Sequence, residues 1–182
     1  IKTTRTHVTY RFTVQQTVAY KDETESIDDI DFSPRLVIST FPDYLAIGAE
    51  YHRTAHPKAR PTTEIIQKVE KLTAGLTDPR DKARALYQWV SRNIRYISNT
   101  IDDGGIVPRS AGYVFRNRFG DCKDHALLLE TMLRIAGIES TAALINQGES
   151  FVLHKGSAYS RPLNHVITYI PSMDLYLDST AQ

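Results

Sequence analysis

The sequence has a single cysteine, so an internal disulfide is excluded. It also lacks any run approaching the roughly 18 consecutive apolar residues that a transmembrane helix needs. The chain also has almost no excess of charge of either sign, since it contains 22 Lys and Arg residues and 21 Asp and Glu residues, for a formal net charge of +1. This balance gives no reason to expect a nucleic acid or an anionic membrane as a partner. We interpret the densest basic cluster, Arg116-Asn117-Arg118, as part of a solvated loop.

The remaining composition is that of an ordinary globular protein, with 41% hydrophobic and 24% charged residues. A chain of 182 residues is long enough for one domain with a proper core. It begins at Ile1 without an initiator methionine or an apolar leader, and it stops shortly after Thr180. We therefore expect a piece of a longer protein.

The cysteine lies in the stretch Phe119-Gly120-Asp121-Cys122-Lys123-Asp124-His125-Ala126, where a helical apolar pattern begins. Apolar residues at helical spacing continue up to Gly137, a residue typical of helix ends. The pattern predicts a buried helix with Cys122 in its first turn. Because the unpaired N–H groups and the dipole there favour an anion, we expect the pKa of this thiol to be lower than that of free cysteine. The alternative is a small apolar cysteine packed in a core.

The segments around this helix predict an α+β protein, in which a helical half that carries the cysteine is followed by an antiparallel sheet. Helices are predicted with Thr63 and Asp78 as their N-caps, and residues 98–118 are predicted to be a loop. Strands are predicted from period-two patterns and their bounding turns; they cover residues 4–20, 36–40, 141–145, 151–153, 164–170 and 175–178. The last two are expected to form a hairpin.

Two further features have a functional alternative. His52 and His56 are four residues apart and could share one helix face as metal ligands. Since Arg53 rather than a glutamate follows the first histidine, we favour surface histidines in a polar loop. Trp89 stands beside the apolar stripe of the helix after Asp78, and we interpret it as core rather than as a platform for substrate.

The late hairpin supplies partners for the cysteine. A turn near Met173 would set Val166 opposite Leu177, and it would place His165 and Asp178 together at one end of the hairpin. This predicts a triad in which Cys122 supplies the thiolate, His165 pairs with it as imidazolium and later protonates the leaving group, and Asp178 orients and charges the imidazole.

The sequence leaves alternatives for the general base and for the hydrogen-bond donors to the oxyanion. His125 and His154 are the alternative bases, but His125 follows the cysteine on the same helix and His154 has no evident acidic partner. The backbone N–H of Cys122 is the expected main-chain donor to an oxyanion. The candidate side-chain donors are Tyr113, Asn117 and Asn164.

The motifs resemble the transglutaminase-like superfamily, which shares a papain-like Cys-His-Asp core. The resemblance covers about residues 60–182 and rests on Gly120-Asp121-Cys122 opening a helix, Leu133–Ile138, Asn164-His165 and Leu177-Asp178-Ser179-Thr180. It implies that Cys122 is the nucleophile, His165 the base and Asp178 the orienting acid. Val166-Ile167 stand where the family often has Ala-Trp, so we expect a differently shaped groove beside the base.

The Gly120-Asp121-Cys122-Lys123-Asp124 variant and the segment from Leu36 to Tyr44 resemble a bacterial branch of this family. In that branch the core follows a β-rich domain in larger, often exported proteins. By this resemblance, residues 1–45 are a β-rich arm that ends a preceding domain, and residues 46–182 are the catalytic core. A periplasmic or otherwise exported location is expected on the same ground.

The function expected from these observations is cysteine-dependent acyl transfer on protein or peptide amides, with no metal or organic cofactor needed. Between hydrolysis and cross-linking, the resemblance to peptidase-like bacterial members favours hydrolysis. The alternative is a non-catalytic binding or scaffold module that has kept the fold.

Overall fold

The computed structural model describes residues 2–3, 6–13, 35–98, 106–148, 153 and 158–181. The helices in these ranges are α1 (Tyr44–Ala55), α2 (Thr63–Thr73), α3 (Pro79–Asn93), α4 (Ala111–Asn117) and α5 (Cys122–Ile135). The strands are β1 (Lys2–Thr3), β2 (Val8–Thr9), β3 (Arg95–Tyr96), β4 (Phe119–Gly120), β5 (Thr141–Ile145), β6 (His165–Ile170) and β7 (Leu175–Leu177). Short 3₁₀ turns follow α1 and β6.

Every helix begins after a side chain that accepts a hydrogen bond from an N–H group of its first turn. These N-caps are Asp43, Thr62, Asp78, Ser110 and Asp121. The predicted cap Asp78 is confirmed, whereas the predicted Thr63 is wrong by one residue. Thr62 caps α2 instead, and its hydroxyl oxygen accepts the N–H of Ile65 at 3.4 Å.

Helix α5 lies at the centre of the fold, and ten of its 14 residues are buried. One apolar cluster joins it to α2, α3 and α4, and a second joins it to α1 and β6. A helix packed on so many sides must be apolar around most of its circumference. It ends as predicted at Gly137, which has a φ of 77°. The N–H of Ile138 then closes the last turn on the carbonyl of Leu133 at 2.9 Å.

The sheet that covers α5 is antiparallel and has the order β5–β6–β7. Leu144 of β5 pairs with Val166 of β6. Strands β3 and β4 form a separate parallel pair, in which Tyr96 lies opposite Gly120 just before the cysteine helix. The predicted α+β class, with the cysteine helix packed on an antiparallel sheet, is confirmed.

Three predicted elements differ in the structure. Residues 36–40 form no strand, because a β-rich sequence still needs a partner strand and none of the described residues supplies one. The loop predicted over residues 98–118 contains α4, whose cap Ser110 was not recognised. Among the described residues of the N-terminal segment, strand pairing is limited to β1 and β2; residues 4–5 and 14–20 of the predicted long strand lie outside the described residues.

Other predictions concern single residues and boundaries. Trp89 is core as predicted, with 9% of its surface exposed and its ring stacked on Phe115 at 5.3 Å between centroids. Leu153 belongs to no strand, and the rest of the strand predicted at 151–153 lies outside the described residues. The proposed division after residue 45 stays a prediction; that position lies within α1. None of the helices among the described residues has the length and apolar character needed to cross a bilayer.

Gly120→Ala should destabilise the protein, because a Cβ at this position would lie 2.6 Å from the Cβ of Asp124. Overpacking of a buried contact of this kind costs about 1–3 kcal/mol. Gly48→Ala is the matched control, since its added Cβ would meet no atom within 4 Å beyond its chain neighbours and the backbone of its own helix, and an alanine inside a helix stabilises by about 1 kcal/mol. Urea denaturation of both variants checks this, and equal midpoints for Gly120→Ala and the wild type would contradict it.

Candidate active site

Cys122 is the first residue of α5, and its position is set by a pair of reciprocal caps. The side chain of Asp121 accepts the N–H of Asp124 at 3.3 Å, and the side chain of Asp124 accepts the N–H of Asp121 at 3.2 Å. This is a capping box built from two aspartates. The predicted place of Cys122, in the first turn of a buried helix, is confirmed.

The carboxylate of Asp124 also holds the segment that leads into α4. It is fully buried and accepts the backbone N–H of Arg109 at 2.7 Å and the guanidinium of the same residue at 2.6 Å. Sequence reasoning missed both residues. The three-residue spacing from Asp121 to Asp124 is the signal that could have revealed the capping box, whereas the contact with Arg109 depends on tertiary structure.

His165 and Asp178 are brought together as predicted, with 2.9 Å between Nε2 and Oδ2. The register that joins them differs from the predicted one, because Thr168 rather than Val166 lies opposite Leu177. The cause is the turn, a 3₁₀ segment that ends on Asp174 in the left-handed conformation with a φ of 46°. Asp178 therefore lies diagonally from His165 and beyond the end of β7, within reach of a long side chain.

The carboxylate of Asp178 is held in its ionised form. Burial raises its pKa, but hydrogen bonds from the Thr180 hydroxyl at 2.6 Å, from His165 and from the Thr180 N–H at 3.0 Å outweigh it, so the net shift is downward. Tyr87 of α3 adds a hydrogen bond to the backbone carbonyl of Asp178 at 3.2 Å. Thr180 and Tyr87 are the contacts that sequence reasoning missed here.

The thiol of Cys122 lies against the start of β6, where the backbone of Val166 is its hydrogen-bond partner. The expectation of a lowered thiol pKa is wrong. Burial and the negative charge of Asp121 raise it, and they outweigh the hydrogen bond from Val166 and the nearby charge of Lys123. Lys123 is itself paired with Asp121, so its ammonium group is already engaged. The resting thiol is therefore protonated at neutral pH.

The alternative bases and the candidate oxyanion donors have contacts elsewhere or lie outside the described residues. His125 is buried, and its Nδ1 contacts the carbonyl of Ser179 at 3.2 Å. His154 lies outside the described residues. The amide of Asn117 donates to the carbonyl of Tyr113 at 2.8 Å.

The two remaining candidate donors also make contacts within the protein. Asn164 bonds both backbone groups of Gln147, at 2.7 and 3.0 Å, and the ring of Tyr113 lies edge-on against Phe119. Tyr96, which sequence reasoning did not consider, lies opposite Gly120. Burial, followed by the charges of Cys122 and Asp121, raises the pKa of the Tyr96 hydroxyl, so this group is within electrostatic reach of the thiol.

His52 and His56 both lie at the exposed end of α1, with their ring centroids 5.1 Å apart. Among the residues that the structure describes, no three His, Cys, Asp or Glu side chains are arranged to hold a metal ion. The two histidines thus have no third ligand there.

Comparison with known proteins supports the resemblance. Residues 66–149 match the model described as the transglutaminase-like superfamily, so this part of the chain is similar to that family. The match contains Cys122 and ends before His165 and Asp178, and the roles of all three residues stay proposals. A comparison with curated proteins gives no match.

Two solved structures are similar in fold. A protein from Parabacteroides distasonis described as a "putative protease" has a TM-score of 0.60 and 20% identity over 76% of this chain and 27% of its own. A protein from Cytophaga hutchinsonii described as a "putative cysteine protease" has a TM-score of 0.48 and 20% identity over 69% of this chain and 42% of its own. This chain thus spans less than half the length of either protein. The first similarity confirms the predicted fold of the core.

The raised pKa predicts that iodoacetamide alkylates Cys122 more slowly than free cysteine at pH 7, with a midpoint above the free-thiol value of about 8.5. Asp121→Asn should move this midpoint to lower pH, because it removes a nearby negative charge and asparagine caps a helix equally well. Asp81→Asn, which neutralises an exposed carboxylate on α3, is the control. The pH profile of labelling measures the midpoint, and one below that of free cysteine would contradict the assignment. The label has one possible site because the chain has one cysteine.

Proposed function

We propose that this chain is a cysteine-dependent acyl-transfer enzyme that acts on protein or peptide amides through a thioester on Cys122. The observation that carries the proposal is the 2.9 Å pair of His165 and an ionised Asp178, formed where β6 reaches the cysteine. Nε2 of His165 is engaged with Asp178, so Nδ1 is the ring nitrogen left to exchange a proton with the thiol. The match to a transglutaminase-like core supports the same chemistry.

In the first half of the proposed reaction, His165 takes the thiol proton while the sulfur of Cys122 attacks the carbonyl carbon of the amide. The raised thiol pKa means that this proton moves during the attack and no thiolate is stored beforehand. Negative charge then develops on the carbonyl oxygen near the N-terminus of α5, where the N–H of Cys122 is the expected donor. Asp178 stabilises the imidazolium that has formed.

In the second half, the imidazolium protonates the leaving nitrogen, the C–N bond breaks, and a thioester remains on Cys122. His165, again neutral, activates water or a second amine, which attacks the thioester and releases an acid or a new amide. Hydrolysis is the preferred outcome, by resemblance to peptidase-like relatives. The structural neighbour from Parabacteroides distasonis is itself described as a "putative protease".

The wider setting is proposed on the same resemblance. The chain would be part of a longer, exported bacterial protein in which residues 1–45 end a preceding domain. The alternative function is a non-catalytic scaffold, and the raised thiol pKa is the observation that favours it.

The proposal predicts that p-nitrophenyl acetate acylates Cys122, with a burst of one nitrophenolate per protein and an acetyl group that stays on the protein until water releases it as acetate. His165→Ala should slow acylation about 100- to 10,000-fold, because the general base is lost. Asp178→Asn should also slow it, because the imidazole loses its anionic partner. Stopped-flow absorbance and intact mass measure the two products.

Cys122→Ala is the blank for this assay, and His56→Ala, an exposed histidine, is the matched control. Acylation that survives in His165→Ala at the wild-type rate would support the scaffold instead. Incubation with a glutamine peptide and a labelled amine then separates the two outcomes, since hydrolysis gives the free acid and transfer gives the labelled amide.

A further inference from the structure

A cleft of about 380 Å³ opens directly beside the thiol of Cys122. We call it the thiol cleft. It lies between α1, the segment before α4 and the strands β5 and β6. Most of its wall is aliphatic or aromatic; examples are Ile47, Val107, Leu144, Leu163 and Val166.

The charged side chains in its lining already have partners within the protein. The carboxylate of Glu50 accepts two hydrogen bonds from the guanidinium of Arg53, at 2.6 and 2.8 Å. The ammonium group of Lys123 is paired with Asp121. Neither group is left unpaired for an ionic substrate.

Two of the uncharged polar groups are occupied as well. The hydroxyl of Thr54 donates to the carbonyl of Tyr51 at 2.9 Å. Both ends of the Asn164 amide are bonded to the backbone of Gln147. A polar substrate group that entered the cleft would lose its hydrogen bonds to water with little to replace them.

We infer that the thiol cleft binds a bulky aliphatic or aromatic side chain of the substrate, next to the amide that Cys122 attacks. This inference rests on the proposed function and adds the substrate class. Burial of such a side chain is favourable in proportion to the apolar area removed from water. A pocket of this kind separates substrates by about 10- to 200-fold for each fitting apolar group.

The test is a series of p-nitrophenyl esters of N-acetylated leucine, phenylalanine, alanine, aspartate and lysine, with p-nitrophenyl acetate as the reference. The leucine or phenylalanine ester should have a kcat/KM at least tenfold above that of the alanine ester. The aspartate and lysine esters should react no faster than the alanine ester. A flat series, or a preference for either charged ester, would overturn the inference.

Leu163→Trp should fill the cleft and lower the ratio of the leucine-ester to the acetate rate constant at least tenfold. Leu45→Trp is the control, since Leu45 is 81% exposed and lies outside the cleft. Leu144→Ala is a second variant, which enlarges the cleft and should move the preference from leucine towards phenylalanine. Unchanged ratios in both folded variants would overturn the assignment. Failure of p-nitrophenyl acetate to acylate the wild-type protein would instead contradict the proposed function.

A second inference follows from the segment that carries Asp178. This residue follows the last residue of β7, so the sheet ladder does not fix it. The helices hold the segment instead, through Tyr87 on the carbonyl of Asp178 and His125 on the carbonyl of Ser179, each at 3.2 Å. Because His125 belongs to α5, the helix that presents the nucleophile also contacts the neighbour of the acid.

The protonation of His125 can be assigned from its surroundings. A carbonyl oxygen only accepts, so Nδ1 must carry the proton that is shared with Ser179. The ring is 1% exposed, and Nε2 has no hydrogen-bond partner among the described residues. Burial lowers the pKa of His125, in keeping with a neutral ring.

The geometry points to His125 as a positioning residue, which fixes Ser179 and thereby keeps the carboxylate of Asp178 on His165. His125→Leu removes the N–H donor, whereas His125→Asn keeps one at about the position of Nδ1. The leucine variant should lose about 10- to 100-fold in kcat, as other partners that orient catalytic ligands do, with KM little changed. The asparagine variant should recover most of that loss.

Kinetics with p-nitrophenyl acetate check this. They are measured at a temperature at which circular dichroism shows that both variants are folded. A wild-type kcat in His125→Leu would overturn the assignment, and so would an asparagine variant that is as slow as the leucine one. The wild-type reaction in the same assay tests the proposed function separately.

Discussion

The site depends on the hydrogen bonds and the ion pair of one carboxylate, that of Asp124. Buried completely, it closes the capping box at the start of α5 and also binds Arg109 through its backbone and its guanidinium. A buried carboxylate left without these partners would be strongly destabilising. The start of α5, and hence the position of Cys122, is thereby fixed from two directions. Gly120 completes the arrangement, because its missing side chain leaves room for Asp124.

From that point α5 links the parts of the site to one another. Its apolar sides bury against α2–α4 and against α1 and β6, so it cannot shift without disturbing both clusters. Cys122 stands at its first position, and His125 contacts Ser179 one turn later. Cys122 and the segment that carries Asp178 are therefore set by one rigid element, and the thiol cleft lies where this helix meets the sheet.

Local patterns revealed much of this arrangement. The start of α5 at Cys122, its end at Gly137 and the cap Asp78 follow from short-range chemistry, and the structure confirms them. The contact of His165 with Asp178 was also predicted, although through the wrong register, because the twist of the turn at Asp174 cannot be read from a strand pattern. The prediction of a lowered pKa for the Cys122 thiol was wrong for a similar reason. A helix N-terminus is visible in sequence, but the burial that opposes its effect is a tertiary property.

That raised pKa bears on how such a site would work. A preformed thiolate needs an environment that stabilises negative charge at rest, whereas Cys122 is largely shielded from water and stands next to the carboxylate of Asp121. The site stabilises positive charge on the imidazole of His165 instead, since Asp178 stays ionised and is hydrogen-bonded to that ring. Transfer of the thiol proton to His165 would thus gain most of its stabilisation once the imidazolium has formed. The thiol would stay inert until an acyl group arrives to share the charge, which is the order expected when complementarity is directed at the transition state rather than at the resting protein.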